Sequence, residues 1–262
     1  MIELRVSMIM SHGQGYIPHY RAEQRFGWDI IPGLFRGMGA ELDPLHAKQL
    51  EANAIELFEQ TVRQKLGDKT FRDLFNKTKH GKSWDLLFQA QHGGIHTSLT
   101  DWTGFEKMAM FFGTEESQDP IIESSDAQLW VLMVPEELLL SDSNVYKESY
   151  LDHDPFNMSQ SIMPNVPILI SQVEERIFEQ RINRQGGRFF ISSNDVCSIP
   201  LNRQPAIAEL LYRFRIPAGR KSDIRDELNR QQQPVNRSTI YINENPEVAM
   251  WIAEINSNIY GF

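Results

Sequence analysis

The stretch Gln91-His92-Gly93-Gly94-Ile95-His96-Thr97-Ser98-Leu99-Thr100-Asp101-Trp102-Thr103 gathers histidine, carboxylate, hydroxyl and indole groups into one short run. His92 and His96 are spaced i, i+4, as two metal ligands on a helix would be. Gly93 and Gly94 between them interrupt a helix, and no acidic partner stands beside them in sequence, so no metal is expected. Thr97 and Asp101 flank a predicted turn. Thr103 is the predicted cap of the following helix, with Glu106 completing a capping box. Phe105, Met108, Ala109 and Phe112 supply that helix's apolar face, and Gly113 is its predicted stop.

Outward from this centre the chain mixes helices and strands. Asp43-Pro44 predicts a helix start, and Ile55, Phe58, Val62 and Leu66 recur behind it at helical spacing. The helical segment is expected near residues 43–90. Ser222 is the predicted cap of a short helix carrying Ile224 and Leu228. Asn245-Pro246 opens a last one with Val248, Ile252 and Ile255 on one side. Gln128–Val134, Arg188–Ser192, Leu211–Ile216 and Thr239–Ile242 read as strands. Thr114–Asp126 and Ser141–Pro164 read as loops. Strands and helices do not alternate regularly, which predicts an α+β domain with a mixed or antiparallel sheet. One domain is expected over residues 1–262, with its core at about residues 16–255.

Composition narrows the function. The 262 residues are 41% hydrophobic and 23% charged, ordinary values for a globular chain. No apolar run approaches the roughly 18 residues of a membrane span. The start of the chain has no apolar block with a small-residue cleavage site. The single cysteine, Cys197, reads as a buried thiol, and the cytoplasm is the expected location. A net charge of −9 argues against a general grip on nucleic acid, and no membrane partner is expected. Residues 201–240 run the other way, with eight basic against four acidic residues. A solvated face and an anion site are the two readings of that cluster. No phosphate-binding loop, nucleophile elbow, HExxH or dinucleotide fingerprint is present.

Two further segments accompany the central one. The first is His19-Tyr20-Arg21-Ala22-Glu23-Gln24, with Ile31-Pro32-Gly33-Leu34-Phe35-Arg36 after it. The second is Arg181-Ile182-Asn183-Arg184-Gln185-Gly186-Gly187-Arg188-Phe189. Together with Gln91–Thr103 and the later Ile216-Pro217 and Ser238–Tyr241 stretches, they resemble the FRG domain family, named for a Phe-Arg-Gly motif. The family pattern runs aromatic-Arg-Gly-Gln, Pro-x-Leu-Phe-Arg, Gln-His-x-Gly-x-x-Thr-x-x-x-Asp-Trp-Thr and Arg-Ile-x-x-Gln-x-Gly-x-Phe. The literal Phe35-Arg36-Gly37 belongs by order to the second element, and the naming motif falls on Tyr20-Arg21-Ala22, where alanine replaces glycine.

The resemblance implies, by analogy with the motif order of ADP-ribosyltransferases, a nucleotide-binding fold that takes NAD or a similar nucleotide. The implied catalytic set is Arg21, His92, Asp101 and Gln185. Tyr20, Arg36, Gln91, Thr97, Trp102, Thr103 and Arg181 are the implied ligand contacts. Arg21 offers a guanidinium fork to a phosphate, or else an internal salt bridge. His92 is a general acid/base or a buried histidine. Asp101 ties a turn or orients His92 or Arg21. Trp102 is core or a stacking platform. Gln185 stands where the comparison wants a glutamate. It can bond a ribose hydroxyl but carries no charge for a cationic transition state. Two functions follow: ADP-ribosyl transfer or NAD cleavage, or a non-catalytic module that senses a nucleotide or a protein partner in stress or phage defence.

Overall fold

The computed structural model describes residues 15–36, 43–75, 82–135, 139–140, 155, 168–170, 181–192, 196–241 and 246–261. The capping residues govern where its longest helix begins. Asp43 accepts a hydrogen bond from the His46 main-chain N–H at 3.2 Å, and Pro44 takes the first helical position. Helix α1, Pro44–Leu66, then buries Ala54, Ile55, Phe58 and Val62 along one stripe. Helix α2, Asp68–Phe75, and helix α3, Lys82–Gly93, pack beside it. Helix α4 is Glu106–Thr114, α5 is Lys221–Asn229 and α6 is Pro246–Tyr260. The expected helical segment near residues 43–90 is thus α1 to α3.

Seven strands form one sheet: β1 Tyr16–Glu23, β2 Leu99–Thr103, β3 Ala127–Pro135, β4 Leu139–Leu140, β5 Ile168–Ile170, β6 Gly187–Ile191 and β7 Leu211–Ile216. Their order is β4-β5-β6-β2-β1-β3-β7. Among the described residues only the β4–β5 pair is parallel. The α+β expectation holds, with a mixed sheet. Strand β3 is buried along its whole length because β1 and β7 flank it and both faces are covered.

Alternation assigns the two faces. On one face, Leu99, Phe189 and Ile191 pack under α1, α3 and α6. On the same face farther along the sheet, Tyr20, Leu129, Val131 and Ile216 pack under α4 and α5. The reverse face carries Trp102, Phe190, Trp130 and Leu132 against Ile30, Leu201 and Ile207. The join between the two halves is narrow. Strands β1 and β2 share a single register pair, Tyr20↔Thr103, whereas β1 and β3 are paired from Tyr16↔Pro135 to Glu23↔Gln128.

Several local readings are corrected. Thr97 and Asp101 do not flank a turn, because Leu99–Thr103 form strand β2, whose backbone pairs with β6 from Leu99↔Ile191 to Thr103↔Gly187. Thr103 therefore does not cap α4. That helix starts two residues later, behind Phe105, with no side-chain cap. The Thr103 hydroxyl instead donates to the Gln185 carbonyl at 2.6 Å and accepts from the Phe105 N–H at 3.0 Å. Of the expected strand Thr239–Ile242, Thr239 and Ile240 belong to a helical turn, Arg237–Ile240, and Ile242 lies outside the described residues. There Asn236 accepts from the Thr239 N–H at 3.1 Å, while Thr239 Oγ1 accepts from the Asn236 N–H at 3.0 Å. This reciprocal cap outweighs a β-rich composition. Helix α5 begins at Lys221, so Ser222 sits inside it. The expected loop Thr114–Asp126 contains a helical turn, Pro120–Ser124, capped by Asp119. The loop Ser141–Pro164 lies, apart from Pro155, outside the described residues.

Most of the basic cluster of residues 201–240 forms a solvated, ion-paired face, with Lys221 as a buried exception. Arg203 meets Asp29, Arg215 meets Asp126, Arg225 meets Glu123, and Arg237 meets Glu115. Arg213 lies over the rings of Phe26 and Trp130 at 4.7 and 5.3 Å. Lys221 is buried, and its ammonium donates to the carbonyls of Gln24 and Ile122 at 3.0 and 2.8 Å. No helix among the described residues is long and apolar enough to cross a membrane.

Candidate functional site

A cavity of about 380 Å³ opens over the β1–β2 seam. It lies where the helices covering one half of the sheet stop and α4, covering the other half, begins. The end of α3 contributes Gln91 and His92 to one wall, and α4 contributes Ala109 and Phe112 to the other. Tyr20, Arg21, Asp101 and Thr103 come from the two strands that part here. Arg36 closes a short helical turn, Gly33–Arg36, and also faces the cavity.

Arg21 spans the seam. Its Nε and Nη2 lie 2.8 and 2.7 Å from Glu23 Oε1, and its Nη1 donates to the Asp101 main-chain carbonyl at 2.7 Å. Burial works against its charge, but Glu23 and then Asp101 outweigh this and hold its pKa above the ordinary value. Arg21 is thus both a salt-bridge partner and a cavity residue. Where β1 and β2 share only one pair, its side chain supplies a second tie.

Asp101 is held from the other side. Thr97 donates its hydroxyl to Gln91 Oε1, and Gln91 Nε2 donates to Asp101 Oδ2 at 2.9 Å. Thr97 is fully buried and does not line the cavity, so its part is to orient Gln91. The relay leaves an exposed carboxylate in a fixed pose.

Gln185 ends a short helix, Arg181–Gln185, and its side chain lines the cavity. Its buried Nε2 has no hydrogen-bond partner among the described residues. Gly186 follows at φ 57°, and a Cβ there would stand 2.5 Å from the Phe105 ring, so the turn into β6 requires glycine. Arg181 belongs to this helix by its backbone, while its side chain lies outside the described residues.

Trp102 is 4% exposed and packs in the reverse-face cluster, and its indole N–H donates to Thr100 Oγ1 at 3.1 Å. It borders the cavity chiefly as core. His92 and His96 both reach the cavity. His96 is held below the ordinary histidine pKa first by burial and then by the Arg36 charge, which keeps its ring neutral near pH 7. Among the described residues no group of three or more His, Cys, Asp or Glu side chains is placed to hold a metal ion.

Ala22 explains its own departure from the family pattern. It lies in extended β1, so no positive φ is required there. Its methyl group stands only 2.8 Å from where a Cβ on Gly113 of α4 would be. The Ala22 methyl group fits because α4 carries glycine where it crosses the strand. Gly113→Ala should therefore cost about 1–3 kcal/mol by overpacking. Ala22→Gly in the same chain should restore most of the loss, as read from the urea midpoint at unchanged slope.

Sequence reasoning missed Arg188. It was read as part of a strand, and β6 does contain it, but the strand delivers its guanidinium to the cavity. Nη1 donates to the Gly186 and Gly187 carbonyls at 3.2 and 2.8 Å, and Nε is buried with no partner among the described residues. Burial lowers its pKa from the ordinary arginine value. Neither Arg188 nor Arg36 has a carboxylate at ion-pair distance among the described residues. Arg-Phe-Phe with a preceding Gly-Gly was the only available signal: a lone cation in an otherwise apolar strand.

No curated protein and no solved structure matches the chain. Residues 18–121 match the family model of the FRG domain. The match takes in Tyr20, Arg21, Arg36 and the whole stretch Gln91–Thr103, the residues that build the seam and most of the cavity. Gln185 and Arg188 lie beyond it. Over residues 18–121, less than half of its length, the chain is similar to the FRG domain family.

Proposed function

We propose that the cavity binds a phosphate-bearing nucleotide such as NAD. The carrying observation is local charge. Three guanidinium groups, from Arg21, Arg36 and Arg188, line one cavity in a chain of net charge −9, and two of them lack a carboxylate partner among the described residues. Arg188 is half-buried, a costly setting for a cation unless a counter-charge arrives, whereas Arg36 is exposed, and the guanidinium fork matches phosphate oxygens. Asp101, Gln91 and Gln185 add acceptors and donors suited to sugar hydroxyls.

A thermal-shift series with NAD and ADP-ribose tests this. Ligand at 100 times its dissociation constant adds about 2.7 kcal/mol, which for a chain of this size raises the melting temperature by roughly 5–10 °C. Arg21→Ala should abolish the rise. That variant also loses the Glu23 and Asp101 contacts, so the quantity to compare is the ligand-induced shift within each protein. An equal shift in Arg21→Ala, or none with any nucleotide in the unmutated chain, would sink the binding proposal.

A turnover reading is favoured by one feature. The relay from Thr97 through Gln91 holds the Asp101 carboxylate at the cavity. A fixed negative charge there stabilises a sugar that becomes cationic as nicotinamide departs, a task neutral Gln185 does not perform. Nicotinamide release from NAD, slowed about 100-fold or more in Asp101→Asn, supports it. Binding without release leaves the alternative, a nucleotide-sensing module that engages a partner.

A further inference from the structure

The arginines of the cavity differ in how their charge is met. Arg21 is matched by Glu23. Arg36 is exposed, and its hydrogen bond goes to the Ile31 carbonyl at 3.3 Å. Arg188 is half-buried and pinned by two carbonyls of its own turn, Gly186 and Gly187, while its Nε faces no acceptor among the described residues. Its Nη2 lies 3.5 Å from where a Cβ on Gly104 would stand, so a side chain at position 104 would touch the fork. With Nη1 held by the two carbonyls and Nε buried, Nη2 is the end of the fork left with N–H donors for a phosphate oxygen. Asp101 supplies one negative charge at the cavity but makes no ion pair with Arg188 among the described residues. Arg36 and Arg188 are therefore two separate guanidinium groups with no carboxylate at ion-pair distance among the described residues, although Glu23 and Asp101 offset part of the Arg36 charge from farther away. Two phosphates can each meet one of them.

We propose that Arg188 is the specificity-determining residue that reads a second phosphate. The ligand class is then a nucleoside diphosphate or dinucleotide and not a nucleoside monophosphate. This rests on the nucleotide reading above and deepens it. Arg188 lies outside the segment that matches the FRG domain, so the preference belongs to this chain's own C-terminal half.

The test is calorimetric titration of adenosine, AMP, ADP and inorganic pyrophosphate into the full chain, into Arg188→Met and into Arg188→Lys. Each variant is first checked for cooperative unfolding. The unmutated chain should bind ADP at least tenfold tighter than AMP. Arg188→Met should weaken ADP at least tenfold more than AMP and so bring that ratio near one. Arg188→Lys keeps the charge but loses the fork, and should lower the ratio at least threefold. It carries the test if Arg188→Met does not fold. An ADP/AMP ratio unchanged in the folded variants overturns the role of Arg188 and leaves the nucleotide reading standing. Pyrophosphate binding that depends on Arg188, with no binding of any nucleotide, overturns the nucleotide reading and leaves the diphosphate site. No binding of any of the four by the unmutated chain overturns both.

Discussion

Replacing Glu51 with alanine should destabilise the protein by about 3–5 kcal/mol, the largest effect expected of any single substitution considered for this fold. Glu51 is fully buried in α1. Its Oε1 accepts from the Ser98 N–H at 2.6 Å and from the Ser98 hydroxyl at 2.8 Å. Its Oε2 meets the buried ammonium of Lys48, which also donates to Ser98 Oγ at 2.9 Å. Truncation leaves a buried cation without its counter-charge and a buried N–H without an acceptor. Replacing both members, as Lys48→Met with Glu51→Leu, should cost far less, because no uncompensated charge remains. The comparison is made from urea midpoints at matched slopes. A small loss in the single variant would show that the network is not what fixes Ser98. The consequence for the site follows from position. Ser98 directly precedes β2, and Thr97 beside it orients Gln91 and through it Asp101. A structural ion pair in α1 therefore holds the start of the cavity's central strand.

Acidification should cost the protein about 3 kcal/mol through His19 alone. The imidazole is 2% exposed on β1, and its Nδ1 lies 3.1 Å from the Ile17 carbonyl. Its pKa is lowered from 6.5 to about 4, chiefly by burial; the Ile17 hydrogen bond opposes this, and the nearby Arg188 charge adds to it. The sign follows from proton uptake. Between about pH 6.5 and pH 4 the unfolded chain holds a proton on this residue and the folded chain does not, so stability falls as pH falls across that window. Above it the contribution is complete. Most carboxylates stay ionised between pH 7 and 5, where His19 should account for about 2 kcal/mol of the decline. The unmutated chain should therefore lose about 2 kcal/mol more than His19→Gln over that interval. Parallel stability–pH curves would contradict the buried neutral ring.

What the sequence made legible divides by range of interaction. Helix α1 was readable because Asp43, Pro44 and the Ile55–Phe58–Val62 spacing act within a few residues of one another. The same holds for α6 and for β7, whose alternation matches its two faces. Thr103 was misread because a local capping pattern competed with pairing to β6, more than 80 residues away. β1 carries His19, Arg21 and Glu23 on a strand with few apolar signals, and its place came from resemblance and not from periodicity. The site was legible in its motif residues. Arg21, His92, Asp101 and Gln185 line one cavity with Tyr20, Arg36, Gln91, Trp102 and Thr103, while Thr97 stands behind it. Arg188 was not legible, since whether a guanidinium lacks a carboxylate depends on every element packed around it.

The most direct test is calorimetric titration of ADP-ribose into the intact chain and into the double variant Arg36→Met, Arg188→Met. The account predicts saturable binding at one site per chain. The double variant, still unfolding cooperatively, should lose at least about 100-fold in affinity, equal to about 2.8 kcal/mol. No heat of binding at millimolar ligand, or equal affinity in both proteins, would contradict it.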